Sequence, residues 1–132
     1  MIQRSDLVVE VFMEETAERL DSIESGLLRL EQCGKICDDD TVNSIFRDAH
    51  SVKAGSNLLK LKNIEELAHK LENVLEMIRK KQLDPTELVI TAGLEAVDKL
   101  RELLANIETS DSISIRLHTH MLRMAVEKSL EG

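Results

Sequence analysis

Residues 20–30, LDSIESGLLRL, indicate the fold class, because their apolar side chains recur at helical spacing. Intervals of three and four residues separate four of them: Leu20, Ile23, Leu27 and Leu30. Side chains spaced in this way lie on one face of an α-helix, and the polar residues between them lie on the other. We therefore predict a long amphipathic helix over about residues 5–32, with Ser5 as its N-cap.

The same periodicity continues along the rest of the chain. It predicts four further helices, over about residues 40–57, 63–81, 85–107 and 112–130. Amphipathic helices joined by short loops pack against one another in antiparallel order. We expect an all-α fold, an up-and-down antiparallel four-helix bundle with a fifth C-terminal helix, and one domain over residues 1–132.

Two polar residues mark the expected starts of later helices. Asn63 is followed three residues on by Glu66, a spacing typical of a capping box. Asp84 precedes Pro85, the only proline of the sequence, and proline is favoured at the first position of a helix. We therefore predict that the third helix starts at Asn63 and the fourth at Pro85.

The composition restricts the class of partner. The chain has 132 residues, 17 of them Lys or Arg and 25 Asp or Glu, which gives a net charge of −8. Nucleic acids and anionic membrane surfaces require a basic binding face, so this balance argues against both. A protein partner with a basic patch fits better. The scarcity of aromatic residues, with two Phe and no Trp or Tyr, favours helices over a β-sandwich.

The cysteines and the N-terminus point to a cytoplasmic protein. Cys33 and Cys37 match neither the CxxC spacing of a redox pair nor a zinc site with four ligands, so we expect loop thiols. No apolar run is long enough to span a membrane, and the first residues are too acidic for a signal peptide. We therefore expect a cytoplasmic protein without membrane insertion.

Residues 46–56, FRDAHSVKAGS, suggest more than packing in the second helix. His50 follows Ala49 and lies at the edge of the apolar stripe, where one ring nitrogen can face solvent. Lys53 is three residues further and shares that side of the helix. The residues around this pair are small, which leaves room for a large partner to approach: Ser51, Ala54 and Gly55.

The third helix supplies a matching pair, His69 and Glu72, on the flank of its apolar stripe. If the second and third helices pack antiparallel, this pair can face His50 and Lys53. A carboxylate beside an imidazole accepts a hydrogen bond from one ring nitrogen and leaves the other a better nucleophile. A neighbouring ammonium group would stabilise a bound anion. The pattern favours reversible phosphorylation of an imidazole, with a partner protein supplying the remaining groups.

These segments resemble the histidine phosphotransfer (HPt) domain family, most closely the N-terminal domain of CheA-type chemotaxis kinases. The resemblance covers about residues 8–82 and rests on three stretches: VFMEETAERLDSIESGLLRLE at 11–31, FRDAHSVKAGS at 46–56 and AHKLENVLEMIRK at 68–80. Two departures are Ala54, where the family usually has glycine, and SNLLKLKN at 56–63, which lacks the Gly and Phe usual in CheA.

The resemblance implies a function in two-component signalling and chemotaxis. His50 would be the phosphoacceptor, supported by Lys53, His69 and Glu72. It would take a phosphoryl group from the ATP-binding catalytic domain of a histidine kinase and pass it to an aspartate of a response-regulator receiver domain. We expect no cofactor and no metal in this domain, with ATP and Mg²⁺ held by the partner domains, because the sequence has no glycine-rich phosphate loop.

The resemblance leaves open whether the chain belongs to an enzyme. As the front end of a CheA-type chain it would be part of a protein-histidine kinase. The alternatives are a free-standing phosphorelay protein and a non-catalytic helical adaptor, although an adaptor would make the arrangement of His50 and Glu72 a coincidence.

A metal site is the strongest rival chemistry. Glu66 and His69 have the Glu-x-x-His spacing of di-iron bundles, but such sites need a second copy of this motif. The residue three before His50 is Arg47, and apolar residues stand three before His118 and His120. The sequence therefore argues against a metal centre.

Overall fold

The computed structural model describes residues 2–34 and 39–131 of the chain. They form five α-helices, a 3₁₀ helix of six residues, and no β-strand. The α-helices are α1 (Leu7–Cys33), α2 (Asp39–Leu58), α3 (Lys62–Arg79), α4 (Glu87–Ala105) and α5 (Arg116–Glu131), and the 3₁₀ helix spans Ile107–Ser112. The expected all-α fold is confirmed.

The first four helices close into a ring around one core. α1 packs on α2 and α4, and α3 packs on the same two helices from the other side. Contacts between successive helices join the end of one to the start of the other, which gives the antiparallel bundle that the sequence predicts. α5 lies outside the ring, against α3 and α4. α2 and α3 share the most extensive contact, and this is where the candidate site lies.

The apolar stripe of α1 faces the core as expected. Its four members, Leu20, Ile23, Leu27 and Leu30, are each at most 1% exposed. Gly26 lies on the same side, and a Cβ atom there would collide with the side chain of Ile45 in α2. Glycine at this position therefore lets α1 and α2 approach closely.

The ends of α1 differ slightly from the prediction. The N-cap residue is Asp6 rather than Ser5, and its side chain forms no capping hydrogen bond. Periodicity places a helix end only to within a residue or two, because the cap depends on local backbone geometry. The expectation of a loop thiol is wrong for Cys33, which ends α1 and takes part in a disulfide. Cys37 lies outside the described residues.

The start of α3 corrects the capping-box prediction. The helix begins at Lys62, and the Asn63 side chain forms tertiary hydrogen bonds instead of a cap. Its amide donates to the backbone carbonyls of Ser110 (3.1 Å) and Ile113 (2.7 Å). Asn63 therefore fastens α3 to the segment between α4 and α5, a role that local spacing does not reveal.

The start of α4 is also corrected, by two residues. The helix begins at Glu87 rather than Pro85, and Thr86 rather than Asp84 is its N-cap. The Thr86 hydroxyl accepts a hydrogen bond from the backbone N–H of Val89 at 3.3 Å. A threonine side chain is a favourable cap, so the cap moves to the position where its geometry is satisfied.

The segment between α4 and α5 is a 3₁₀ helix where we predicted a helix end and a loop. Ile107 and Ser110 are both 1% exposed, and the Ser110 hydroxyl donates to the Ile107 carbonyl. The segment is distinct from α4, which ends at Ala105. α5 begins at Arg116, four residues later than predicted. No helix within residues 2–34 and 39–131 is long and apolar enough to span a membrane.

Candidate functional site

His50 projects from the rim of α2. Its neighbour Ala49 is 1% exposed and belongs to the core, whereas 57% of the His50 side chain is open to solvent. The imidazole is therefore anchored by a buried backbone position and still accessible to a second protein.

Glu72 of α3 is the buried partner of this imidazole. Its side chain is only 8% exposed, and its two carboxylate oxygens have different partners. Oε2 lies 2.5 Å from Nδ1 of His50, and Oε1 accepts a hydrogen bond from the Lys53 ammonium group at 2.7 Å. One carboxylate thus fixes both side chains of α2 that the sequence singles out.

The charge state of Glu72 follows from these contacts. Burial alone would raise the pKa of Glu72, but the hydrogen bonds and positive charges of Lys53 and His50 outweigh it and hold the pKa below its ordinary value. The carboxylate is therefore ionised at neutral pH and can only accept hydrogen bonds.

An ionised carboxylate determines the tautomer of a neutral imidazole. Because Glu72 accepts, Nδ1 of His50 must carry the hydrogen, and Nε2 keeps a free lone pair. Nε2 is the ring nitrogen that the Glu72 carboxylate does not contact. The arrangement leaves a lone pair on Nε2 of an imidazole whose side chain is 57% exposed, which is the chemistry that a nucleophile requires.

The sequence analysis missed two contacts near His50, one between Phe46 and His50 and one between Arg79 and Phe46. The Phe46 ring stacks on the imidazole, with centroids 6.4 Å apart and an angle of 23° between the planes. The guanidinium carbon of Arg79 lies 4.8 Å from the centre of the Phe46 ring. The spacing of four residues between Phe46 and His50 could have indicated the stack, whereas nothing local marks Arg79.

His69 does not join this cluster through a hydrogen bond. It is exposed on α3, and no hydrogen bond or ion pair within the described part of the chain involves its side chain. Its supporting role stays a prediction.

Gly55 has a packing role that the sequence analysis did not assign. A Cβ atom there would lie 3.0 Å from Cε1 of Phe12 in α1, so glycine admits the Phe12 ring. Ala54, by contrast, is exposed on the His50 side of α2. Clearance for a partner therefore depends on Ala54 more than on Gly55.

The remaining histidines have different surroundings. His120 of α5 lies 2.9 Å from an Arg123 nitrogen through its Nδ1, and Nδ1 of His118 is buried without a hydrogen-bond partner. Within residues 2–34 and 39–131, no group of three His, Cys, Asp or Glu side chains is placed to hold a metal ion.

The chain matches a family model and several characterised proteins. The Hpt domain model matches residues 7–110. The chemotaxis protein CheA of Rhizobium meliloti is 35% identical over 96 residues, which cover 73% of this chain and 12% of the relative. The sensor histidine kinase CheAY of Helicobacter pylori is 31% identical over 105 residues, which cover 80% of this chain and 13% of the relative. The chain thus spans only a small part of these relatives.

Solved structures agree with the family match. The phosphorylated P1 domain of CheA3 from R. sphaeroides, solved in complex with CheY6, aligns with a TM-score of 0.78 at 25% identity, over 92% of this chain and 97% of that one. The solution structure of the histidine phosphotransfer domain of CheA aligns with a TM-score of 0.76 at 24% identity, over 86% and 87%. The chain belongs to the histidine phosphotransfer (Hpt) domain family and is similar to the Hpt domains of CheA proteins.

Proposed function

We propose that His50 is the phosphoacceptor of this domain and that Nε2 is the atom phosphorylated. The observation that carries the proposal is the hydrogen bond between Nδ1 of His50 and the buried Glu72 carboxylate. This bond leaves one nitrogen of an exposed imidazole with a lone pair and, among residues 2–34 and 39–131, without a hydrogen-bond partner.

The transfer balances without a proton leaving the imidazole. The Nε2 lone pair attacks the γ-phosphorus of ATP held by a histidine kinase catalytic domain, an N–P bond forms, and the P–O bond to the departing ADP breaks. The ring becomes a cation that keeps its hydrogen on Nδ1, where the Glu72 carboxylate stabilises it. In transfer to a receiver domain, a carboxylate oxygen of the receiver aspartate attacks the phosphorus and an O–P bond forms. The N–P bond breaks, and its electron pair returns to Nε2.

Lys53 would stabilise the charge of the transferred group. Its ammonium group is fixed 2.7 Å from Glu72, on the carboxylate that also holds His50. A positive charge beside the acceptor lowers the cost of bringing phosphoryl oxygens close to an acidic domain. ATP and Mg²⁺ would be bound by the partner domains, so this chain supplies only the nucleophile and its immediate surroundings.

An apolar surface next to His50 fits a docked receiver domain. Ala54 and Leu58 follow His50 at intervals of four residues and are exposed on the same side of α2, Leu58 to 81%. The first turns of α1 add the exposed side chains of Val8 and Val11. Exposed apolar surface of this kind marks protein interfaces on soluble domains. The CheA3 domain that this chain resembles was solved in complex with the response regulator CheY6.

We place this activity in the cytoplasm, where ATP, kinase catalytic domains and receiver domains are available. The acidic surface, with a net charge of −8, also favours protein partners over nucleic acid.

Labelling with radioactive ATP and a CheA-type kinase domain tests the assignment. The wild-type domain should acquire acid-labile label, and His50→Gln should abolish it, because glutamine has no nucleophilic ring nitrogen. His120→Gln is the matched control and should be labelled like the wild type. Equal labelling of wild type and His50→Gln would show that the phosphoacceptor lies elsewhere.

A further inference from the structure

Phe46 and Arg79 form a second set of contacts that links α3 to His50. The proposed function assigns no role to these contacts. The Phe46 ring is stacked with the imidazole at a centroid distance of 6.4 Å, and the Arg79 guanidinium lies over the same Phe46 ring. Offset stacks of aromatic rings occur at centroid distances of roughly 4.5–7 Å, and a cation over a ring is attracted within about 6 Å. Both observed separations fall in these ranges.

Arg79 is itself held in place. One of its terminal nitrogens donates to both carboxylate oxygens of Glu76, at 2.7 and 2.9 Å, and its Nε donates to one of them at 3.3 Å. Both residues lie in α3, three positions apart, so the guanidinium has a preferred position above Phe46. Phe46 also packs against the buried core. The aromatic ring beside His50 is therefore held between the core and a fixed cation.

A hydrogen bond at Nδ1 does not by itself orient the imidazole. The terminal torsion of a histidine side chain is broad, so the ring can swing while the bond to Glu72 persists. In-line attack on phosphorus requires the Nε2 lone pair to point at the phosphorus atom. A flat ring against one face of the imidazole restricts that torsion.

We propose that Phe46, held by Arg79, is a positioning residue that orients the His50 imidazole for phosphoryl transfer. The inference rests on the proposed function of His50. Removing the Phe46 ring leaves Glu72 and Lys53 in place but widens the range of directions in which the Nε2 lone pair points. The rate of phosphorylation falls, although the nucleophile and its tautomer remain.

The first test uses the two phenylalanines of the chain as a matched pair. Phe46 and Phe12 both pack partly buried against the core, but Phe12 contacts Gly55 rather than His50. In the kinase assay, Phe46→Leu should be labelled about 3- to 10-fold more slowly than wild type, in line with the strength of an aromatic pair. Phe12→Leu should stay near the wild-type rate, and Phe46→Tyr, which keeps the ring, should restore it.

The second test uses Arg79, whose exposed side chain can be changed without opening the core. Arg79→Gln should slow labelling about 2-fold. Arg101→Gln, which breaks ion pairs between α4 and α1, should not slow it. Imidazole ¹⁵N and coupling-constant NMR should show an altered His50 ring torsion with an unchanged tautomer in Phe46→Leu and Arg79→Gln. A loss of packing alone would not produce this signature.

The outcomes separate the two proposals. If wild-type protein takes no label on His50, the proposed function fails. If wild type is labelled normally and Arg79→Gln shows wild-type rate and ring torsion, the positioning role of Phe46 and Arg79 is overturned. The same conclusion follows if Phe12→Leu slows labelling as much as Phe46→Leu.

Discussion

His50 and His120 are both exposed histidines on helices, but their neighbours place the ring hydrogen on different nitrogens. Nδ1 of His50 meets a carboxylate and must donate, whereas Nδ1 of His120 meets the Arg123 guanidinium and must accept. The lone pair that remains for a partner is on Nε2 in His50. In His120 the outward nitrogen carries the hydrogen instead. A histidine on a helix becomes a nucleophile through the group behind it, and exposure alone does not suffice.

Replacing the carboxylate should produce the largest change in this comparison. Glu72→Ala removes the group that fixes the His50 tautomer and leaves Lys53 without its partner. We expect phosphorylation to slow about 10- to 100-fold, the usual range for losing a group that orients a reactive imidazole. Kinase labelling measures the rate, and circular dichroism should show unchanged helicity.

Glu66→Ala is the control for this substitution, since Glu66 is an exposed glutamate of the same helix. Wild-type labelling of Glu72→Ala would refute the dependence of His50 on its carboxylate. A loss of helicity would assign Glu72 a structural role instead.

Acid should weaken the folded state through the same carboxylate. The pKa of Glu72 is lower in the folded chain than the value of 4.5 for a free side chain. A depressed pKa adds stability above the unfolded value, and this contribution is lost as the pH falls through the folded value. Wild type should exceed Glu72→Gln by about 1–3 kcal/mol at pH 7, the range for hydrogen bonds to charged groups.

The difference between the two proteins should shrink as the pH falls below 4.5, which denaturant unfolding at several pH values measures. A difference that stayed constant down to pH 3 would show that the Glu72 carboxylate is not the group responsible. Glu66→Gln should leave the free energy of unfolding at pH 7 near that of wild type, because Glu66 is exposed.

The smallest expected effect is the change in the free energy of unfolding when a carboxylate is placed beside His120. Arg123→Glu reverses the charge beside Nδ1, so His120 should change to the tautomer with hydrogen on Nδ1, as ¹⁵N NMR can detect. The free energy of unfolding should change by less than about 0.5 kcal/mol, because the site is exposed. His120 should remain unlabelled by the kinase, since the variant has a carboxylate three residues after His120, where Lys53 follows His50 with an ammonium group.

A His120 that kept its original tautomer in Arg123→Glu would contradict the rule drawn from this comparison. Labelling of His120 in that variant would show that the carboxylate alone is sufficient for reactivity. Arg123→Gln controls for the loss of the arginine.

The sequence was sufficient to predict the helical bundle and the pairing of His50 with Glu72. Leu20 and its successors recur at a spacing that only a helix places on one face, and the burial of all four confirms this. His50 and Glu72 lie on adjacent helices, so the antiparallel packing of α2 and α3 was enough to bring them together.

The rest depended on contacts between residues far apart in the chain. Asn63 has the local pattern of a cap but binds the carbonyls of Ser110 and Ile113, more than forty residues away. Arg79 looks like an ordinary surface charge until α3 is laid beside Phe46. Such partners are set by the tertiary arrangement, which helical periodicity does not encode.

The exposure of the His50 side chain affects how the domain would gain and lose a phosphoryl group. With 57% of that side chain in solvent, a phosphoryl group on Nε2 would project outward, with Lys53 on one flank. Its remaining oxygens would be available to a divalent cation carried by another protein. Loading and unloading could then occur at the same atom without a movement of the helices that carry His50 and Glu72.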